Sequence, residues 1–365
     1  MINRLNKAKN LMSDYGLDAV ILNPGPTQYY FSGLHLGLME RPMCLFLDPE
    51  KTPAIVLPEL ERQQLPLAGI PLEPFFYGAD VDEWQQAYKK AADYLGLNGK
   101  TVGIEPTRFR YLEMSYVQGA APHVKFTSAQ DLVAQLRMVK DATEKAAMKA
   151  AIDLSQVALL AALKNFKVGM TELELSSEIT MQLLKAGAEN QSFGAIVSGG
   201  PNSANPHAMP SDRPIQNGDL LVIDYGGTKH GYCADITRTF GVGEVDPEYV
   251  KIHEITQAAN AAARAFAKPG VRAGDVDKAA RDVIEAAGYG EYFTHRVGHG
   301  LGMEGHEPPY MHGANNMILE EGMTFTIEPG IYLPGRNGVR VEDDVILTAD
   351  GCESLSTLPR ELKYL

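Results

Sequence analysis

Cysteine is scarce in this sequence. Only three are present among 365 residues, and they lie far apart, at Cys44, Cys233 and Cys352. A small secreted domain held by disulfides has a denser and even-numbered set, so this number and spacing argue against a disulfide framework. Unpaired thiols are typical of a reducing compartment, and we therefore expect a cytoplasmic protein.

An excess of basic residues is also absent. The chain has 33 Lys and Arg against 46 Asp and Glu, a formal net charge of -13, and no local concentration of positive charge. A surface of this sign repels the phosphates of nucleic acids and anionic lipid headgroups. We therefore expect neither a nucleic acid nor a membrane as a partner.

Long apolar runs are missing as well. The residues from Met1 to Lys7 interrupt every short apolar run with a polar or charged side chain, unlike the continuous apolar segment of a signal peptide. Elsewhere, no stretch approaches the roughly 20 apolar residues that cross a bilayer. Hydrophobic residues make up 45% and charged residues 22% of the chain. This is the composition of a globular protein, and the length is sufficient for two domains.

The first part of the chain alternates helical and strand patterns, as in a layered α/β domain. Apolar residues at helical spacing precede Gly16, and the buried-strand pattern Ala19–Leu22 follows it. Helices are predicted over 82–94 and 108–117. Five more strands are predicted, at 43–47, 54–57, 74–77, 102–105 and 124–126. No group of catalytic residue types is found in this domain.

A long helical pattern over residues 129–166 begins the second part of the chain. Within it, Asp141 and Glu144 have the spacing of a capping box, which predicts that a second helix starts there. We therefore divide the chain into two domains, 1–128 and 129–365.

The second domain contains an internal repeat. A shift of 101 residues aligns 154–156 (LSQ) with 255–257 (ITQ), and further matches follow at the same shift. Each copy predicts a pair of helices followed by β-rich sequence. The pattern indicates two similar α+β halves that face each other, with a site between them that draws side chains from both.

Two aspartates lie on predicted neighbouring strands of the first half. The sequence on either side of a turn near 229–230 has strand patterns, which places Asp224 and Asp235 directly opposite each other. Neither is flanked by a basic residue, so a cation between them would offset their mutual repulsion. The alternative is a pair of solvated aspartates on an exposed hairpin.

The second half repeats this design with glutamates. Glu328 and Glu342 are symmetric about Gly335, which lies in a turn-forming segment at 334–338. Two acidic pairs at related places in duplicated halves favour a shared metal site over a coincidence of surface charges.

Histidine and glycine are concentrated near His299 and His306. Glycine at nearly every second position lets the backbone approach a ligand, while imidazole provides a metal ligand or a donor to an oxyanion. A P-loop is disfavoured, because its lysine and hydroxyl residues are missing. His207 is ambiguous by composition alone. The other histidines outside the 295–306 segment are interpreted as core or surface residues: His35, His123, His230, His253 and His312.

These motifs resemble the pita-bread-fold metallopeptidases, which include Xaa-Pro aminopeptidase, prolidase and methionine aminopeptidase. Three pairs of motifs carry the resemblance. The aspartate motifs begin at Asp224 and Asp235, the histidine motifs at His299 and His306, and the glutamate motifs at Glu328 and Arg340. It covers essentially the whole chain. Methionine aminopeptidases usually lack the N-terminal domain, so the proline-directed branch is favoured. The implied fold is an α/β creatinase-like N-terminal domain followed by an α+β pita-bread catalytic domain with pseudo-twofold duplication.

The resemblance also implies roles for individual residues. Two metal ions would be held by Asp224, Asp235, His299, Glu328 and Glu342, with Asp235 and Glu342 bridging. Glu328 would take and return a proton, and Arg340 would orient the bridging carboxylates. His207 and His306 would contact the substrate carbonyl and the oxyanion that forms from it. His295 would contact the residue after the cut, and Tyr332 would also bind the substrate.

This ligand set is rich in oxygen and suits Mn2+, Co2+, Zn2+ or Fe2+ without strong selection, with Mn2+ favoured. Two such ions would lower the pKa of a water beside the scissile bond. The resemblance implies Xaa-Pro dipeptides or short peptides as substrates, and a homodimer. The segment 35–42 resembles a loop that closes over dipeptides in prolidases, and its alternative is an exposed connecting loop.

Two other functions fit the same residues. A metal-dependent hydrolase of another small amide would use the same ligands, whereas creatinase-type relatives lose them. The second alternative is a catalytically inactive peptide-binding module. The intact ligands and the absence of acidic tails count against it.

Overall fold

The computed structural model describes all 365 residues. The chain divides into two compact units, Met1–Arg137 and Met138–Leu365. The expected boundary at residue 128 lies before the helix Gln130–Arg137, which the structure includes in the first unit. That helix is tied to the first unit by the hydroxyl of Tyr30, which donates to the carbonyl of Leu136 (3.0 Å).

The first unit contains a six-stranded sheet. Its strands are β1 (Ala19–Leu22), β2 (Cys44–Leu47), β3 (Ala54–Pro58), β4 (Glu73–Tyr77), β5 (Thr101–Ile104) and β6 (Lys125–Ser128). They are ordered β4-β3-β2-β1-β5-β6, and all pairs are parallel except those that β2 makes with β1 and β3. All six predicted strands are confirmed within two residues at each end, because most of them consist of buried apolar residues bounded by turn residues.

Five α-helices and the 3-10 helix Glu59–Leu67 complete this unit. The α-helices are α1 (Ile2–Asp14), α2 (Pro26–Ser32), α3 (Val81–Leu95), α4 (Tyr111–Ala120) and α5 (Gln130–Arg137). Helix α3 begins where the Asp80 side chain accepts the N–H of Asp82 (3.0 Å), and it ends at Gly96, which has a φ of 64°. Its buried face packs on the strands in a core that belongs to this unit alone. The short helix α2 was not predicted, although Pro26 at its first position was an available signal.

The second unit contains two pairs of helices: α6 (Ala142–Leu163) with α7 (Glu172–Lys185), and α8 (Pro247–Phe266) with α9 (Ala273–Ala286). A shift of 101 residues superposes the bounds of α7 on those of α9, which confirms the predicted repeat. The predicted capping box of Asp141 and Glu144 is also confirmed at the start of α6.

Helix α6 is unusually apolar. Its mean hydropathy over an 18-residue window is 1.5. By length and composition alone, the helix is therefore long and apolar enough to cross a membrane. The expectation that no segment reaches this limit is therefore wrong. However, 56% of the window is buried inside the protein, and Ile152, Leu159 and Ala162 belong to a hydrophobic core of the unit. The helix has the character of a core helix.

Each half of the second unit forms a sheet. The strands of the first half are β7 (Ile196–Gly199), β8 (Leu220–Tyr225), β9 (Thr228–Lys229), β10 (Tyr232–Cys233) and β11 (Ile236–Gly241). Those of the second are β12 (Gly298–Gly300), β13 (Glu307–Met311), β14 (Thr324–Ile327), β15 (Gly330–Tyr332), β16 (Gly338–Arg340), β17 (Asp343–Leu347) and β18 (Cys352–Ser354), and β19 (Lys363–Tyr364) returns to the first sheet.

The main sheets are ordered β19-β11-β8-β7 and β13-β12-β14-β17-β18, with β9-β10 and β15-β16 as separate two-stranded ladders. The predicted fold class, an α/β unit followed by a duplicated α+β unit, is confirmed.

Candidate active site

The turn between the two aspartates of the first half lies one residue later than predicted. His230 and Gly231 occupy it, with left-handed φ angles of 52° and 75°, as in the two-residue turns that suit the twist of a hairpin. Asp224 therefore pairs with Thr237 and not with Asp235. The prediction that the two aspartates are directly opposite is wrong.

Asp224 and Asp235 nevertheless converge. Asp235 precedes Thr237, the partner of Asp224, by two positions, and such a residue lies diagonally across the same face of a ladder. Both aspartates are buried, with exposed fractions of 8% and 4%. Their carboxylate oxygens lie within 4.8 Å of each other and of a Glu342 oxygen. The alternative of solvated aspartates on an exposed hairpin is therefore excluded.

The glutamates of the second half have the predicted symmetry. Gly335, with a φ of 71°, lies at the centre of the turn, and Gly330 pairs with Arg340 around it. Strands β14 and β17 continue the same register further from the turn. Glu328 and Glu342 occupy matching positions between these two sets of pairs. Both the point of symmetry and the register therefore agree with the prediction.

His299 brings an imidazole among these carboxylates. It lies in β12, where its Nε2 atom is 3.2 Å from Glu328 Oε1 and 3.7 Å from Asp235 Oδ2. Its Nδ1 atom is 3.1 Å from the carbonyl oxygen of Gly300. Ligand atoms of His299, Glu328 and Glu342 all lie within 4.8 Å of one another. Acidic side chains from both halves and one imidazole therefore form a single group.

The glycines beside His299 have a structural reason. A Cβ atom at Gly298 would lie 1.9 Å from the carbonyl oxygen of Thr326, and one at Gly300 would lie 2.2 Å from that of Pro308. Glycine thus lets β12 lie close to its neighbouring strands. The sequence indicated close backbone approach to a ligand, whereas the structure shows close approach to other strands.

Three further histidines surround this group. His207 and His306 line the cavity above it, and the ring centres of His306 and His299 are 3.8 Å apart. Partial burial and the neighbouring His299 lower the pKa of His306 to about 4. The Nε2 atom of His295 is 2.9 Å from the Tyr332 hydroxyl, and burial lowers the pKa of His295.

Arg340 connects the two halves. It is buried, and it donates hydrogen bonds to Asp224 Oδ2 (2.6 Å), to the Tyr332 hydroxyl (3.0 Å) and to Thr237 Oγ1 (3.1 Å). Thr237 in turn donates to Glu342 Oε2 (2.6 Å). A guanidinium from the second half thus orients an aspartate of the first, and a hydroxyl from the first half orients a glutamate of the second.

The four carboxylates face only one guanidinium, which leaves an excess of negative charge. Burial raises the pKa of Asp235 well above its usual range, and the carboxylates of Glu342 and Asp224 raise it further. The pKa values of Glu342 and Asp224 are raised by burial and by Glu328. Glu328 differs: burial acts to raise its pKa, but the hydrogen bond and charge of His299 lower it to about 2.

Arg340 pairs with only one oxygen of this group, Oδ2 of Asp224. The Oδ1 atom of Asp224 is buried without any hydrogen-bond partner, and an isolated buried oxygen of this kind is unfavourable. Divalent cations would satisfy it and would offset the repulsion that raises the pKa values. The donor set, four carboxylates and one imidazole, therefore fits divalent metal ions.

A cavity of about 770 Å³ opens onto this group, a volume typical of a small-molecule or short-peptide site. The side chains that line it come from both halves: Phe193, Ile196, Pro206, His207, Asp224, Asp235, His295, Arg296, His299, His306, His312, Glu328, Arg340 and Glu342.

Comparison with known families agrees with this geometry. Residues 146–349 match the family described as "Metallopeptidase family M24", and residues 4–139 match the "Creatinase/Prolidase N-terminal domain". The chain belongs to metallopeptidase family M24. It therefore has a creatinase-type N-terminal domain and a pita-bread catalytic domain, as the resemblance implied.

Relatives of this metallopeptidase are similar over their whole length. The "Putative dipeptidase YkvY" of Bacillus subtilis (strain 168) is 35% identical over 364 residues, which cover 100% of both chains. The "Xaa-Pro dipeptidase" of Lactobacillus delbrueckii subsp. lactis is 34% identical over 367 residues, covering 99% of this chain and 98% of the relative.

Solved structures have the same fold. A dipeptidase from Pyrococcus horikoshii OT3 superposes with a TM-score of 0.93 at 36% identity, covering 99% of this chain and 100% of that one. The prolidase from the same organism gives 0.88 at 33% identity, with 99% of each chain covered. An X-Pro aminopeptidase from Thermotoga maritima gives 0.87 at 34% identity, covering 98% and 99%. The chain is accordingly an enzyme of the metallopeptidase type.

Several residues of the metallopeptidase cavity were not singled out from the sequence. Phe193, Ile196 and Arg296 line it, and only Arg296, which follows His295 directly, had a neighbour that pointed to the site. His312, which we interpreted as a core or surface residue, is exposed and lines the cavity wall. Phe193, Arg296 and His312 lie outside the helices and strands, where no periodic pattern reports which way a side chain points.

Proposed function

We propose that this metallopeptidase hydrolyses the Xaa-Pro peptide bond of dipeptides or short peptides with two divalent metal ions. The observation that carries the proposal is the convergence of ligand atoms in two triads that share Glu342. Asp224 and Asp235 complete one triad, and His299 and Glu328 complete the other. Asp235 Oδ2 is also 3.7 Å from His299 Nε2, so Asp235 and Glu342 would be the residues placed to help hold both ions. We propose Mn2+ as the metal, because the ligands are mostly oxygen.

When bound, the ions supply a Lewis acid that polarises the peptide carbonyl and lowers the pKa of a nearby water. Glu328 is the carboxylate suited to take the proton from that water. Its side chain is 15% exposed, against 12% for Asp224 and 6% for Asp235, and it lines the cavity. The nearby Thr326 hydroxyl donates to Glu328 Oε1 (3.1 Å), which fixes the direction of the carboxylate.

The histidines of the cavity are suited to bind the substrate. His207 and His306 approach the cavity from different halves, and a neutral His306 can donate a hydrogen bond to the carbonyl and to the oxyanion that forms from it. We assign His295 and Tyr332 to the residue after the cut. The ring of His295 lies 5.2 Å from that of Phe293 and 5.4 Å from that of Tyr332. Such an aromatic wall suits a pyrrolidine ring, which has no amide N–H to recognise.

The named relatives support a proline-directed activity and leave the length of the substrate open. Curated relatives include Xaa-Pro dipeptidases of Lactobacillus and Pyrococcus, whereas a solved neighbour is an X-Pro aminopeptidase. The proposal therefore includes both dipeptides and short peptides, and substrate length has to be tested directly.

The test uses Mn2+-loaded protein with Ala-Pro, Gly-Pro, Ala-Pro-Ala and Ala-Ala-Ala, and a chelator-treated sample as control. We expect cleavage of the proline dipeptides that stops after chelation and returns with Mn2+. Release of alanine from Ala-Pro-Ala would indicate an aminopeptidase. Equal cleavage of Ala-Ala-Ala would contradict the proposed proline specificity, and activity that survives chelation would contradict the metal mechanism.

We also propose a cytoplasmic homodimer that binds neither nucleic acid nor membrane. Three free cysteines and a net charge of -13 support the compartment and the absence of these partners. The segment 35–42, which connects α2 to β2 and is mostly exposed, is proposed to contribute to substrate closure. Light scattering of the purified protein tests the dimer, and a monomeric mass would contradict it.

A further inference from the structure

The ring of His207 is placed in the cavity without any hydrogen bond of its own. His207 is exposed, and only its backbone N–H is held, by the Asn205 side chain (3.2 Å). A histidine that must meet a substrate atom within a few tenths of an ångström needs a fixed position. Since nothing holds the ring, its position depends on the loop that carries it, residues 199–211.

One buried carboxylate holds both ends of this loop. Glu172, in the first turn of α7, is fully buried. At the start of the loop, it accepts the N–H of Gly199 (2.8 Å) and the side-chain amide of Asn202 on both its oxygens (3.1 and 2.9 Å). At the end of the loop, it accepts the N–H (3.0 Å) and the hydroxyl (2.6 Å) of Ser211.

All these donors are neutral and come from the loop. Both oxygens of a carboxylate are acceptors, so Glu172 can accept from all four of these donor groups, whereas an amide would turn one acceptor into a donor. The position of Glu172 at the N-terminal turn of a helix also favours a negative charge. The backbone supports the same contact, because the N–H groups of Glu172 and Leu173 bond to the carbonyls of Arg213 and Ser211.

The middle of the loop is held separately, by two residues of β16. Arg340, which bonds to Asp224, also donates to the Pro206 carbonyl (3.1 Å), and Gly338 donates its N–H to the Ser203 hydroxyl (2.8 Å). With its ends held by Glu172 and its middle by β16, the loop has little freedom. Glu172 therefore supplies the contact that is remote from both metal and substrate.

We propose that Glu172 is a positioning residue, which fixes the loop 199–211 so that His207 meets the substrate carbonyl. The proposal rests on the proposed function for the role of His207, and on the hydrogen bonds above for the role of Glu172. It predicts that Glu172 acts on catalysis only through His207.

The test compares E172Q with E174Q as a matched control. Glu174 lies two residues further along the same helix, is exposed, and completes the capping box by accepting the N–H of Thr171 (2.8 Å) without touching the loop. With Ala-Pro as substrate, we expect E172Q to lower kcat/KM by about 10- to 100-fold, because a misplacement of about 1 Å has effects of this size. We expect E174Q to stay within about twofold of wild type, since its capping bond is remote from the cavity.

A double mutant distinguishes positioning from general damage. If Glu172 acts through His207, E172Q should change kcat/KM by less than about threefold in an H207A background. Equal losses in the wild-type and H207A backgrounds would overturn the proposal. If E172Q folds poorly, N202A can be used instead, because it removes the amide contact and leaves the Glu172 carboxylate three donors. We expect N202A to cause a smaller loss of kcat/KM, which should again be non-additive with that of H207A.

Hydrogen exchange gives a readout that does not depend on activity. Amides of the loop 199–211 should exchange faster in E172Q than in E174Q, while those of β8 and β14 stay protected and the metal content is unchanged. Unchanged protection of the loop in E172Q would overturn the proposal. A different result would separate the two proposals. If the loop exchanges faster in E172Q as expected but the wild-type protein cleaves no Xaa-Pro peptide, the proposed function is refuted, while the role of Glu172 in holding the loop is retained.

Discussion

The two halves of the catalytic unit bring acids to one centre through different hairpins. In the first half, the turn has two residues, His230 and Gly231, and the aspartates lie diagonally across the ladder. In the second half, a longer turn is centred on Gly335, and the glutamates hold matching positions on its two sides. The shorter aspartate and the longer glutamate side chains therefore reach the same place from different registers.

The halves also orient each other's proposed metal ligands. Asp224 is oriented by Arg340 from the second half, and Glu342 by Thr237 from the first. The backbone N–H of Asp235 donates to Asp344 in the same reciprocal way (3.0 Å). Duplication thus produced two partial sites, neither of which is complete alone, and the geometry of one half depends on side chains of the other.

The largest predicted effect comes from removing Asp235, whose carboxylate lies near ligand atoms of both triads. Asp235→Ala should lower the metal content per chain and reduce kcat/KM for Ala-Pro by at least about 10³-fold, because the ions would lose a ligand and their activation of water would be lost with them. Metal analysis of the dialysed protein and a steady-state assay measure the two effects. Asp212→Ala, which changes an exposed aspartate of the same half, is the control. Full activity in Asp235→Ala would rule out the proposed mechanism.

A smaller effect is expected from the contacts that join the halves. Arg340→Met leaves Asp224 and Tyr332 without their donor, and it should weaken metal binding by about 10- to 100-fold, as changes to groups that orient metal ligands do. Thr237→Val keeps the shape and removes one hydroxyl, so about 10-fold is expected. Titration of metal-free protein with Mn2+ in the presence of a competing chelator measures both. A larger loss in Thr237→Val than in Arg340→Met would contradict the view that the guanidinium is the main connection.

Most of the fold follows from local patterns in the sequence. Continuous apolar runs identified most of the six strands of the first unit, and a capping box located the start of α6. The repeat was visible because both copies build the same helix pair, so that α7 and α9 coincide after a shift of 101 residues. Helix α6 shows the limit of composition as a signal, because an apolar core helix and a membrane span can be similar in length and composition.

The site was less completely predicted than the fold. Its acids and histidines stand out because charged groups are rare in β-rich core sequence. The register of the first hairpin was missed because it depends on which residue adopts a left-handed conformation, and His230 gives little sign of doing so. Residues such as Glu172, Phe193 and Ile196 are far from the motifs in sequence, and only the folded chain brings them to the loop or the cavity.

The smallest predicted effect concerns the turn that distinguishes the two hairpins. Glu189 accepts the N–H groups of His230 (2.9 Å) and Gly231 (3.0 Å), which helps a non-glycine residue to remain left-handed. Burial acts to raise the pKa of Glu189, but these two hydrogen bonds lower it overall. Since the pKa is lower in the folded state, the stabilisation is complete above the unfolded pKa of about 4.3 and is lost as the pH falls through the folded value.

Glu189→Gln should therefore lower the urea unfolding midpoint at pH 7. The corresponding loss in the free energy of unfolding should be less than about 1 kcal/mol, because Glu189 is exposed. The difference from wild type should shrink as the pH falls below about 4. Glu244→Gln, an exposed glutamate of the same half, is the control and should show no such pH dependence. A difference that stays constant with pH would mean that the carboxylate charge does not stabilise the turn, and the two hairpins would then differ only in the backbone of His230.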